Sequence, residues 1–163
     1  MAKSPMVPIV FLSRPTSLSD TQERAVLAWS RYLLELGFQL RRLARPQYTD
    51  TPWDRLRHLL DEVDGVVTFG CALTPRHHDD GDPRVKADMR TSPWTYIEAA
   101  MAIEAAVPVL AVPETGIHDG VFDPAVWSGC LYGVHSNDAP SSSAIPEGWI
   151  AAVRRAAATR RVE

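Results

Sequence analysis

Two textures of hydrophobic positions alternate along the chain. Short unbroken apolar runs at Pro8–Ser13 (PIVFLS), Gly65–Phe69 (GVVTF) and Val107–Pro113 (VPVLAVP) read as strands buried on both faces, with Gly129–Val134 as a fifth strand. Phe38–Leu43 (FQLRRL) alternates imperfectly and reads as an edge or second strand, after which Arg45-Pro46 opens a loop. Between these runs the apolar residues recur at helical spacing. Val26, Trp29, Leu33 and Leu36 follow a capping box at Ser19 and Gln22, and Gly37 closes that helix. Leu56, Leu59, Leu60 and Val63 form the inner face of a second helix, opened by Thr51 as cap with Pro52 in the first position and ending at Asp64-Gly65. A third begins at Ser92 as N-cap and Pro93 as first residue; Ile97, Met101 and Ala105 are its expected apolar stripe, with Glu98 beside it. The last helix spans Ile145 to Arg161, after a Ser- and Pro-rich linker.

Strand and helix in alternation, with unbroken apolar strands, predict an α/β fold: a doubly wound five-stranded parallel sheet with helices on both faces, forming one domain over residues 1–163. Ligands of such sheets bind at the carboxyl ends of the strands. That rule selects Ser13 and Arg14 after the first strand, the segment Gly70–Arg90 after the third, and Glu114–Phe122, including Gly120, after the fourth. The helix that starts at Ser92 opens on the same edge, where the hydroxyl and the amides of Trp94 and Thr95 are expected to hold an anion. About twenty residues without pattern between Gly70 and Arg90 suggest a loop over a site or a mobile one. No internal repeat is present; Thr51-Pro52-Trp53 and Ser92-Pro93-Trp94 share helix-start chemistry.

Composition narrows the partners. A chain of 163 residues with 45% hydrophobic and 23% charged residues is long enough for one globular core. A net charge of −3 argues against nucleic acid or an anionic membrane surface, both of which demand basic protein, and Arg154, Arg155, Arg160 and Arg161 read as the solvated face of a terminal helix. No run has the length of a membrane span, and the opening residues lack the order of a signal peptide, so the expected location is cytoplasmic. Cys71 and Cys130 each lie beside a strand and read as buried thiols. The stretch His77-His78-Asp79-Asp80-Gly81-Asp82 has no second cluster at ligand spacing, and no metal or cofactor is expected.

Glu98-Ala99-Ala100-Met101-Ala102 followed by Val107-Pro108-Val109-Leu110 resembles the E-x-G-x-A helix and the following strand of the nucleoside 2-deoxyribosyltransferase-like superfamily. This superfamily includes hydrolases of the N-glycosidic bond of nucleoside 5′-monophosphates. The resemblance implies Glu98 as nucleophile and Ser92, six residues earlier, as the group that handles the 5′ end. Relatives that take free nucleosides carry aspartate there, whereas a serine suits a phosphate. The chain departs from the pattern at Ala100, where the family has glycine, and at Ser13-Arg14-Pro15, which replaces a glycine-rich loop. A second resemblance overlaps: VFLS, and Trp94 four residues before Glu98, are similar to the F-x-S strand and W-x-x-x-E helix of TIR domains, some of which cleave NAD. Both families are flavodoxin-like and break a ribose-to-base bond.

One carboxylate suffices for such chemistry, because it can trap the oxocarbenium ion that forms at the anomeric carbon. No second carboxylate is placed as well as Glu98. Asp64 lies at the wrong edge, Glu104 is expected in solvent, and Asp119 and Asp123 have no geometry fixed by sequence. Trp94 and Tyr96 either stack on a base or pack at the helix start. The resulting expectation is a nucleotide N-glycosidase acting on a small-molecule nucleotide, most simply a nucleoside 5′-monophosphate, with Glu98 catalytic and Ser13, Arg14, Ser92, Trp94, Tyr96 and Gly120 binding. The alternatives are a TIR-like NAD glycohydrolase and a non-catalytic nucleotide-binding or signalling domain. The resemblance also implies a homodimer or larger oligomer.

Overall fold

A computed structural model of the chain describes residues 6–43, 52–73, 89–135, 140 and 145–160. Five strands form one sheet: β1 (Ile9–Ser13), β2 (Gln39–Arg41), β3 (Gly65–Gly70), β4 (Val109–Pro113) and β5 (Leu131–Gly133). Every pairing is parallel, and the spatial order is β2-β1-β3-β4-β5, the flavodoxin-like order. Four helices connect or follow them: α1 (Asp20–Glu35), α2 (Pro52–Glu62), α3 (Pro93–Glu104) and α4 (Glu147–Thr159).

The expected doubly wound architecture is therefore present, and side-chain alternation along the strands explains it. Val10, Leu12, Val67, Phe69, Leu110 and Val112 point to one face, where Val26, Trp29 and Leu33 of α1 and Trp149 and Val153 of α4 cover them. Phe11, Val66, Val109 and Ala111 point to the other, beneath Leu56, Leu59 and Leu60 of α2 and Ala99 and Ala102 of α3. β1, β3 and β4 are buried almost throughout, as unbroken apolar runs require.

Local signals set most boundaries. Ser19 and Gln22 make the reciprocal capping box at the start of α1, and Gly37 ends that helix with φ +84°. Most strands are shorter than their apolar runs, although β3 continues one residue further, to Gly70. β2 covers Gln39–Arg41 rather than Phe38–Leu43, because Phe38 already packs into the α1 and α4 core, edge-on to Trp149. β4 begins at Val109 and not Val107, and β5 keeps only Leu131–Gly133 of Gly129–Val134, since Gly129 takes φ +61°. The last helix starts at Glu147 because Pro146 occupies its cap, and it ends at Thr159. Two short 3₁₀ turns, Gly120–Phe122 and Pro124–Val126, were not foreseen. Thr51, the loop at Arg45-Pro46, the His77–Asp82 stretch and most of the Ser- and Pro-rich linker lie outside the described residues.

The amino edge of the sheet is tied by Asp64. Its buried carboxylate accepts a hydrogen bond from the Ile9 amide at 2.7 Å and from Arg160 Nη2 at 3.0 Å, joining the start of β1 to the end of α4. Burial pushes this carboxyl above the ordinary aspartate range, and the Ile9 amide and Arg160 oppose that push. Asp64→Ala leaves a buried amide and a guanidinium without their acceptor, and should cost about 2 kcal/mol. The expected outcome in a thermal melt is a midpoint lower by about 6 °C; an unchanged midpoint would show that the tie contributes nothing.

Candidate functional site

At the carboxyl edge the sheet register brings three positions into one row. Ser13 pairs with Thr68, and Thr68 pairs with Ala111, so all three project toward α3. Above that row the α3 helix turns Thr95, Glu98, Ala99 and Ala102 inward. This overturns the expected stripe of Ile97, Met101 and Ala105: Ile97 and Met101 are half-buried and Ala105 is exposed. The cause is size. Ala99 and Ala102, both fully buried, let the helix backbone approach the sheet closely, while the larger side chains fill its flanks. Glu98 is consequently in the buried face itself, with 2% of its surface exposed.

A buried carboxylate requires donors, and the strand end provides one. Ser13 Oγ donates to Glu98 Oε2 at 2.5 Å, the length of a charge-assisted bond from hydroxyl to carboxylate. Thr68 Oγ1 lies 3.5 Å behind, donating to Ser13 Oγ. Two strand hydroxyls thus line up on one carboxylate at the junction of β1 and β3. That junction is where the strand order reverses, the place at which open parallel sheets take their ligands.

Two further hydroxyls at the start of α3 are buried without a hydrogen-bond partner among the described residues: Thr91 Oγ1 and Thr95 Oγ1. Thr95 is one helical turn before Glu98, and an orphaned hydroxyl there costs free energy that a ligand can return. Ser92 is the N-cap, accepting the Trp94 amide on Oγ at 3.3 Å, while the Thr95 amide donates to the Ser92 carbonyl at 3.0 Å. Both amides expected to hold an anion are therefore satisfied within the first turn, and what Ser92 retains is its own O–H.

The aromatic residues are engaged in packing. Trp94 meets Trp53 of α2 with ring centroids 5.2 Å apart and planes tilted by 35°. Tyr96 lies against Gly120, where a Cβ would crowd the ring at 3.1 Å and the φ of +55° favours glycine, and its edge meets Phe122. Tyr96 Oη donates to Asp119 Oδ1 at 2.6 Å, so Asp119 has a fixed place after all; burial foremost, and then Asp119, push the phenol well above its usual range. Asp123 caps the Ala125 amide at 2.9 Å. Arg14 turns away from this group. It lines a cavity with Arg42 and residues of α1, none of them from α3. Of the expected site residues, then, Ser13 joins Glu98, Tyr96 joins Gly120, and Arg14 stands apart.

A second carboxylate stands at this edge, inside the expected Glu114–Phe122 segment, with a role that sequence reasoning did not assign. Glu114 Oε2 accepts from the Ala72 amide and from Gln22 Nε2, both at 2.7 Å, and Gln22 Nε2 also donates to the Ala72 carbonyl at 2.9 Å. The capping glutamine of α1 thereby fastens the exit of β3 to the exit of β4. Next to it the Leu73 amide donates to the Arg90 carbonyl at 2.9 Å, closing the stem of the segment between them. Buried Cys71 sits beside this latch, and burial, with Glu114 adding to it, pushes its thiol up to about 12; half-buried Cys130 is also a free thiol. Such a Cys71 is a packing residue, not a nucleophile. Among the described residues no group of three or more His, Cys, Asp or Glu could hold a metal ion, and no helix is long and apolar enough to cross a membrane.

Two hydroxyl deletions in this cluster should have opposite signs. Ser13→Ala removes the donor to buried Glu98 and is expected to destabilise by about 2 kcal/mol, whereas Thr95→Val removes an orphan at constant shape and should stabilise by about 1 kcal/mol. Chemical denaturation of both variants checks the pair; a stabilised Ser13→Ala would mean that the Glu98 contact is not formed.

No family model matches the chain, and no curated protein matches it. Among solved structures it is similar to a conserved protein from Enterococcus faecalis V583, at 12% identity over 92% of this chain and 88% of that one, with a TM-score of 0.43.

Proposed function

We propose that the chain is a nucleotide N-glycosidase in which Glu98 is the nucleophile, acting on a nucleoside 5′-monophosphate. The observation that carries this reading is the buried Glu98 carboxylate held by Ser13 at 2.5 Å at the switch point of the sheet. Ser13 fixes the carboxylate against rotation, so its approach to an anomeric carbon is set before substrate arrives. As the base leaves with the electron pair of the C–N bond, the ribose gains positive charge, and the carboxylate stabilises it or closes on it as a glycosyl ester. The base takes its proton from solvent. Water then adds to the anomeric carbon, releases ribose phosphate and restores Glu98. No cofactor enters this sequence.

The first turn of α3 carries no acidic residue, which favours a substrate with a negative 5′ end, and the Ser92 hydroxyl is the donor at that position. A second reading, a TIR-like NAD glycohydrolase, gains from the same hydrogen bond, since Ser13 closes the F-x-S strand and Glu98 the W-x-x-x-E helix. Both readings assign the same bond and the same carboxylate. The proposal extends to a cytoplasmic enzyme that works as a homodimer or larger assembly on small-molecule nucleotides.

Incubation with a panel of nucleosides, nucleoside monophosphates and NAD, followed by chromatography for free base, tests the reading. Glu98→Gln should lower base release by at least about a hundredfold while the melting curve persists. Ser92→Asp remains a good cap but opposes a phosphate, so it should abolish release from the monophosphate and spare the free nucleoside. Near-normal turnover in Glu98→Gln sinks the proposal. Release of nicotinamide from NAD, with every monophosphate untouched, transfers it to the second reading.

A further inference from the structure

We propose that Arg14 and Arg42, with Arg24 at the rim, bind an oxyanion of the phosphate class in a cavity on the α1 side of the sheet, separate from Glu98. Arg14 directly follows β1 and Arg42 directly follows β2. These two strands are parallel neighbours in the register Phe11 to Arg41, so both arginines emerge at the carboxyl edge side by side. They line one cavity of about 440 Å³, whose floor includes Val26 of the α1 core. That volume is ample for a phosphate and a group attached to it.

The charges in this cavity are unbalanced in a specific way. Elsewhere Arg41 pairs with Glu62, Arg57 with Asp54 and Arg160 with Asp64. Among the described residues, Arg14, Arg24 and Arg42 form no ion pair: Arg14 donates to the Pro15 carbonyl at 3.5 Å, Arg42 to Ser30 Oγ at 3.3 Å and Arg24 to Thr21 Oγ1 at 3.2 Å. Asp20 and Glu23 share the rim, in the first turn of α1, without pairing with any of the three. Glu114, at the same edge of the sheet, is occupied by Gln22 and the Ala72 amide. Arg14 and Arg42 therefore repel one another at a partly buried site, and burial together with the Arg14 charge pulls Arg42 below its usual range. A dianion between the two guanidiniums converts that repulsion into attraction, and planar guanidiniums are the side chains best matched to tetrahedral oxyanions. The rim carboxylates select against ligands whose charge extends beyond a compact head group.

The experiment is thermal melting and calorimetry with inorganic phosphate, AMP and adenosine, using chloride at matched ionic strength as reference. The Glu98→Gln protein serves as background, so that turnover does not intervene and failure of the glycosidase reading leaves this test intact. Phosphate should raise the melting midpoint with saturation. Arg42→Met and Arg14→Met, which keep the aliphatic stems, should each weaken phosphate at least tenfold, and Arg57→Met should not change it. Without anion, Arg42→Met should melt no lower than its parent, because a repulsive pair has been removed. AMP binding more tightly than phosphate, and lost with Arg42, identifies a nucleotide-borne phosphate; AMP and phosphate binding equally identifies the free ion. A phosphate shift no larger than that of chloride, or one that survives in both methionine variants, overturns the proposal.

Discussion

The close approach of α3 to the sheet is the constraint on which the carboxyl edge depends. Ala99 and Ala102, with no exposed surface, allow a helix backbone to lie over β3 and β4 nearer than leucine or isoleucine would permit. Once the helix lies that close, the residue one position before Ala99 has nowhere to go but into the interface. That residue is Glu98, and its burial obliges the sheet to present a donor; Ser13 does so because the period of two along β1 turns it, like Phe11, toward α3. Packing, burial and hydrogen bonding at this point are one chain of necessity.

The two edges of the sheet divide the work. At the amino edge Asp64 spends its carboxylate on the Ile9 amide and Arg160, both within the fold, and so acts as a fastening. At the carboxyl edge the polar groups are incompletely satisfied: Thr91 and Thr95 have orphaned hydroxyls, and Arg14 and Arg42 line one cavity without an ion-pair partner among the described residues. Unsatisfied polar groups cost stability, and their concentration where parallel sheets bind ligands is the pattern expected when stability is exchanged for recognition.

Much of the fold was legible in the sequence because its signals are local. Unbroken apolar runs gave the strands, Ser19 with Gln22 gave the start of α1, and Ser92-Pro93 gave the start of α3. The inward face of α3 was not legible, for a physical reason: the helix is apolar on nearly every side, so periodicity carries no direction, and small residues outrank large ones only when a close neighbour is known. The partnership of Ser13 with Glu98 spans 85 residues and that of Gln22 with Glu114 spans 92. No local pattern announces either. Asp119 was unreadable for a similar reason, since its geometry comes from Tyr96 and from a 3₁₀ turn that begins at Gly120.

The stem that follows β3 has a consequence for chain length. Leu73 and Arg90 are joined by a backbone hydrogen bond, and Ala72 is pinned by Glu114, so the interval between them enters and leaves the fold at a single fastened point beside the switch of the sheet. The entropy of closing such an interval grows only logarithmically with its length, about 0.6 kcal/mol for each doubling. A change in the number of residues between Leu73 and Arg90 therefore adds little to the cost of closing that point, and the bond from Ala72 to Glu114 holds the exit of β3 in place while the length varies.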